Sequence, residues 1–147
     1  MAKNILLVDG SSFIPKVIRR TLEQIDYHVI AEARDEKDGI IKFDANESDL
    51  DLVIVNMDST DGMQVIKAIR ETNLEIPIII IVRVDDMSAV DDVTGTVDWN
   101  NASKSELQIK EAIETGVQDV IVLPFKLDTL LSKVQKAVGD ALRQRLL

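Results

Sequence analysis

Short runs that are apolar throughout alternate along this chain with longer runs in which apolar residues recur every three or four positions. The first kind predicts strands buried on both faces, and the second predicts amphipathic helices. Asn4 to Val8 (NILLV) reads as a buried strand, and Ser12 to Ile25 then sets Phe13, Ile14, Val17, Ile18, Leu22 and Ile25 at helical spacing. Ser11 or Ser12 can cap that helix, and Pro15 falls in its first turn, where a missing N–H costs little. Tyr27 to Ala33 alternates like an edge strand, and Asp35 to Phe43 predicts a short helix. Leu52 to Val55 is the next buried strand, followed by a helix over Met63 to Arg70 that is entered through Asp61-Gly62, where Asp61 suits an N-cap. Ile76 to Val82 is the most apolar strand, with Pro77 near its beginning. Ser105 to Thr115 predicts a helix closed by Gly116, Val120 to Leu123 a strand ended by Pro124, and Leu127 to Leu142 a long final helix.

Five strand–helix units of this kind imply an α/β fold with a doubly wound, five-stranded parallel sheet, in one domain over residues 1–147. In such sheets ligands bind at the carboxyl ends of the strands. That rule selects Asp9-Gly10, Asn56 to Asp58, Val82-Arg83 and Leu123-Pro124 as the positions where chemistry would sit.

The rhythm breaks once. Residues 84–104 have no sustained period and carry Asp85, Asp86, Asp91, Asp92 and Asp98 against Lys104 alone. The spacing of these acids does not fit a calcium loop, so they read as solvated, with a small hairpin around Gly95 as a further possibility. Trp99, the only tryptophan, is an uncommon choice for a loop with nothing to pack on. A loop of this length inside a compact domain is more often functional or disordered than neutral. We expect this acidic insert to cover or replace whatever site the strand ends form.

Composition narrows the chemistry. At 147 residues, 46% hydrophobic and 29% charged, the chain is that of an ordinary soluble domain. A formal charge of −9 argues against nucleic-acid binding by this domain, because nothing would neutralise the phosphates. The absence of cysteine removes disulfides and thiolate chemistry and suits the cytoplasm. No run is long enough to span a bilayer or to act as a leader, so no membrane association is expected. His28, the single histidine, has no second metal ligand in view and reads as a partly buried strand residue. Gly10-Ser11-Ser12 reads as a turn, with neither the glycine-rich cradle nor the lysine that a phosphate loop needs.

Four segments in order resemble one known family. ILLVDGSS is similar to the first strand of response-regulator receiver domains (CheY-like), LVIVN with DGMQVIKAIR to their third strand and helix, IPIIIIV to their fourth strand, and GVQDVIVLPF to their fifth. The resemblance covers the chain except residues 84–104 and implies the flavodoxin-like strand order 2-1-3-4-5 and a role in two-component or phosphorelay signalling. It also implies phosphoryl transfer to an aspartate, with a divalent cation on hard oxygen ligands and a Lys and a Thr or Ser on the phosphoryl oxygens.

At every implied position but one this sequence departs from the family. Asp9 matches the first of two adjacent acids, but Gly10 stands in place of the second. Asn56 stands at the acceptor, Val82 at the hydroxyl position and Leu123 at the lysine. An amide cannot form an acyl phosphate, valine cannot donate a hydrogen bond, and leucine cannot neutralise phosphate. The segment from Asn56 to Gly62 is also two residues shorter than usual. We therefore expect a pseudo-receiver that is no enzyme and whose phosphoacceptor pocket (Asp9, Gly10, Asn56, Asp58, Val82, Leu123) is degenerate. No cofactor is expected, Mg²⁺ binding should be weak or lost, and Asp9 and Asp58 are the only weak metal candidates. The resemblance implies a protein partner, or a second copy in a homodimer, on the face of helix 4, strand 5 and helix 5. Val120, which stands where relatives carry a switching aromatic, lies on that face with Pro124 and Phe125. Two other readings stay open: a displaced acceptor at Asp58, or a small-ligand or metal sensor using the vacated pocket and the insert.

Overall fold

A computed structural model describes residues 2–84, 89 and 94–146. Five strands, β1 (Lys3–Val8), β2 (Tyr27–Ala33), β3 (Leu52–Asn56), β4 (Ile78–Arg83) and β5 (Asp119–Leu123), form one parallel sheet in the order β2-β1-β3-β4-β5. Helices α1 (Ile14–Glu23), α2 (Glu36–Asn46), α3 (Gly62–Thr72), α4 (Lys104–Thr115) and α5 (Leu127–Leu146) connect and follow them. This is the flavodoxin-like receiver topology, as the sequence implied.

The period of two along each strand sorts its side chains into two separate cores. Ile5, Leu7, Leu52, Ile54, Ile79, Ile81 and Ile121 pack with Ile18 and Leu22 of α1 and with Leu130 and Val134 of α5. Leu6, Val8, Val53, Val55, Ile78, Ile80 and Val82 pack on the other face with Phe43 of α2, Val65 and Ile66 of α3 and Ala112 of α4. The sheet is thus covered on both faces, which is why its central strands read as unbroken apolar runs.

Local chemistry corrects several predicted ends. Neither Ser11 nor Ser12 caps α1: Phe13 occupies the N-cap without a side-chain bond, although Pro15 does fall in the first turn. Asp61 takes the N-cap position of α3 but its carboxylate accepts from no helix N–H; it accepts from Gln64 Nε2 instead, at 2.7 Å. β4 begins at Ile78 and not Ile76, because Pro77 has no N–H to give and joins the sheet only through its carbonyl, which accepts from Val53 N at 3.0 Å. Gly116 ends α4 in the left-handed region at φ 113°, as its position predicted.

The described part of the acidic insert lies on α4. Ser103 and Glu106 form a capping box at the start of that helix. The buried Glu106 carboxylate also accepts from Ala89 N at 3.2 Å, while Asp98 N donates to Ala89 O at 2.7 Å. Trp99 stands beside Lys110, whose Nζ is 5.8 Å from the ring centroid. Asp85, Asp86, Asp91 and Asp92, together with the first half of the hairpin suggested around Gly95, lie outside the described residues.

Candidate functional site

Parallel pairing brings the carboxyl ends of β1 and β3 side by side, with Val8 opposite Val55. The next residue of each strand is polar in an apolar surround: Asp9 and Asn56 are both fully buried. They meet directly, Asn56 Nδ2 donating to Asp9 Oδ2 at 3.0 Å. Asp58 N donates to Asn56 Oδ1 at 2.9 Å, which fixes the orientation of the amide and leaves its nitrogen facing the carboxylate.

The other carboxylate oxygen is shared by three donors. Ser11 N (2.7 Å), Ser11 Oγ (2.6 Å) and Ser59 Oγ (3.1 Å) all donate to Asp9 Oδ1. Ser59 Oγ accepts in turn from Gly10 N at 2.9 Å, and Thr60 Oγ1 donates to the Asn56 carbonyl at 2.8 Å. A buried carboxylate is tolerated only when its charge is met by donors, and here four N–H and O–H dipoles point at it.

Gly10 is required by space and not by an unusual φ. A Cβ there would lie 2.7 Å from Ser59 O and 3.0 Å from Arg34 O, both backbone atoms. The segment after β3 therefore closes over the end of β1 so tightly that any side chain at position 10 must displace it. Arg34 adds a further tie, its guanidinium donating to Gly10 O at 2.9 Å.

The remaining sequence-derived positions do not join this network. Val82 is buried in the core under α3, and Leu123, joined to Pro124 by a cis peptide, is buried in the core under α5. Asp58 is exposed and faces Arg83, with 3.5 Å between its Oδ2 and the guanidinium Nε. A cleft of about 230 Å³ opens beside it, between Asp58, Val82, Arg83, Lys104, Ser105 and Gln108. Neither Asp9, Asn56 nor Trp99 lines that cleft, and Trp99 stands beside Lys110 of α4. No cluster of three potential metal ligands occurs among the described residues.

Of the suggested partner-face residues, Val120 packs against one core and Phe125 against the other, leaving Pro124 exposed. The large apolar side chains exposed on α4, β5 and the start of α5 are Leu107, Ile113, Val122 and Leu127. His28 sits in β2, partly exposed, with Nε2 2.7 Å from Asp26 Oδ1. Sequence reasoning missed Ser59 and Thr60 and misassigned Ser11; the shortened segment from Asn56 to Gly62 was the one signal pointing to them.

Residues 5–98 match the family described as response regulator receiver domain. The chain is 27% identical to the chemotaxis protein CheY of Bacillus subtilis (strain 168) over 139 residues, which is 95% of this chain and 100% of that protein. Its fold superposes on the receiver domain of AraT, a response regulator from Geobacillus stearothermophilus, with a TM-score of 0.75 at 21% identity, covering 99% of both chains. NtrX from Brucella abortus, solved in complex with ADP, matches with the same TM-score of 0.75 at 21% identity; 99% of this chain spans 28% of that one. This chain belongs to the response regulator receiver family, and its class is that of the receiver module of two-component signalling. Among the described residues no helix is long and apolar enough to cross a membrane.

Proposed function

We propose that this receiver domain signals without being phosphorylated, by contacts with a protein partner. The observation that carries the reading is the buried Asn56–Asp9 pair, in which an amide N–H occupies the space that a cation and an acceptor carboxylate would need to share. A divalent cation requires several anionic or carbonyl oxygens turned toward one point. Here a single carboxylate remains, and hydrogen-bond donors point at both of its oxygens, so the residues present do not fit the ion. Asn56 cannot form an acyl phosphate, and Leu123 and Val82 supply neither charge nor hydroxyl to a phosphoryl group. Asp58 is a poor substitute acceptor because it is exposed and faces Arg83.

With the chemistry closed, the surface is what remains for signalling. Leu107 of α4, Val122 of β5 and Leu127 of α5 are exposed apolar side chains on the three elements that would meet a partner or a second copy. The absence of cysteine suits action in the cytoplasm. The test is an amide NMR titration with Mg²⁺ and then with trifluoroberyllate, a mimic of an acyl phosphate. The resonances of Gly10, Ser11 and Asp58 should not move; a saturable shift at any of them would remove the basis of the reading.

A further inference from the structure

The reading above leaves open what keeps the site closed, and we propose that Ser59 does so, as a positioning residue that takes over the cation's part in joining β3 to β1. The inference rests on that reading, and it concerns one hydroxyl group. Ser59 Oγ–H donates to Asp9 Oδ1 at 3.1 Å while the same oxygen accepts from Gly10 N at 2.9 Å. These two bonds carry the segment that follows β3 onto the end of β1, fifty residues away in sequence. The other ties of this segment run to β3 itself, Asp58 N to Asn56 Oδ1 and Thr60 Oγ1 to the Asn56 carbonyl, and to β4, Met57 N to Ile81 O and Arg83 to Asp58; none of these reaches β1.

The chemistry of the exchange is direct. An ion joins two strand ends by drawing carboxylate and carbonyl oxygens to itself. A hydroxyl joins them by donating to one group and accepting from another, and it needs no second carboxylate. Ser59 also brings its own carbonyl to 2.7 Å from the point where a Gly10 Cβ would sit. The residue that bridges the strand ends is therefore the one that excludes the missing acid. The loss of the acid at position 10 and the shortened segment are then one structural change: once the serine closes, only glycine fits beneath it. Ser59 is otherwise exposed, so its side chain has no packing role to confuse with this one.

The experiment compares the full chain with Ser59→Ala and Ser59→Thr by amide hydrogen exchange and by paramagnetic broadening with Mn²⁺. Ser59→Ala should speed exchange at Gly10 and Ser11 about five- to tenfold, the usual effect of losing one net hydrogen bond. In the Asn56→Asp background, where a second carboxylate faces Asp9, it should also let Mn²⁺ broaden those two resonances, while Ser59→Thr, which keeps the hydroxyl, does neither. A merely structural loss would raise exchange across the sheet and admit no metal. Exchange in Ser59→Ala equal to that of the unmodified chain, or Ser59→Thr behaving like Ser59→Ala, would overturn the assignment of Ser59. Broadening by Mn²⁺ in the unmodified chain would instead overturn the closed-site reading on which it rests.

Discussion

Asn56→Asp tests the electrostatics of the buried pair, because amide and carboxylate have nearly the same shape and differ in charge and in hydrogen-bond sense. The substitution removes the N–H that Asp9 Oδ2 accepts at 3.0 Å and puts a second anionic oxygen in its place, with both side chains fully buried. At that separation two unit charges repel by roughly 5 kcal/mol at an effective dielectric constant of about 20. Proton uptake limits the penalty. Keeping a carboxyl whose ordinary pKa is about 4 protonated at pH 7 costs ~4 kcal/mol, after which its O–H can donate to Asp9 and remake the bond. The expected deficit at neutral pH is therefore about 3–4 kcal/mol. Its pH dependence has a definite sign, because the introduced carboxyl holds its proton to a higher pH in the folded than in the unfolded chain. The variant matches the unmodified protein below the unfolded-state pKa and falls behind by ~1.4 kcal/mol per pH unit until the folded-state pKa is passed. Urea denaturation of both proteins in the presence of a chelator, at several values between about pH 4 and about pH 8, measures this. A variant as stable as the unmodified chain at neutral pH, or a deficit that does not change with pH, would refute the pairing.

Gly10→Asp, which returns the family's second acid, places a Cβ against the Ser59 and Arg34 carbonyls. Overpacking of that kind lowers unfolding stability by about 1–3 kcal/mol, and Gly10→Ala should lose a comparable amount, so an unchanged urea midpoint for either would contradict the close approach. Arg70→Met removes a half-buried guanidinium that donates to the carbonyls of Asn73, Ile76 and Gly116, tying α3 to the start of β4 and the end of α4. Burial already lowers the pKa of that group, and its loss should cost about 2 kcal/mol with the denaturant slope unchanged; a shift within experimental error would mean that these bonds are exchanged for water at no cost. Tyr27, the only tyrosine, has its pKa raised first by burial and then by Asp51. Its phenolate absorbance should therefore appear above the ordinary midpoint of about 10, with stability falling as pH rises through that window; Asp51→Asn should lower the midpoint part of the way, and no change on that substitution would sink the contribution of Asp51.

The sheet was legible because strand residues report their surroundings by type alone. Ile5 to Val8, Leu52 to Val55 and Ile78 to Val82 are buried on both faces and so are apolar at every position. Asp9 and Asn56 were found by the same logic, as polar residues at the ends of such runs. What escaped was the choice of partner by small polar residues. Ser11 sits where a helix cap is wanted, yet both its N–H and its hydroxyl go to Asp9, because a buried carboxylate is a stronger acceptor than a solvated helix end is a donor. Ser59 reaches across fifty residues, and no local pattern encodes that distance. Trp99, expected to need something to pack on, is 43% exposed and stands beside Lys110 of α4.

On the function proposed above, no phosphoryl group is accepted at the carboxyl end of this sheet. Incubating the full chain with a small phosphodonor and Mg²⁺, followed by intact-mass measurement at neutral pH, tests it most directly. A single species at the unmodified mass is expected, while a chain of the same family with its acceptor aspartate is labelled under the same conditions. A phosphate adduct that appears with Mg²⁺ and is lost on Asp58→Ala or Asp9→Asn would contradict it.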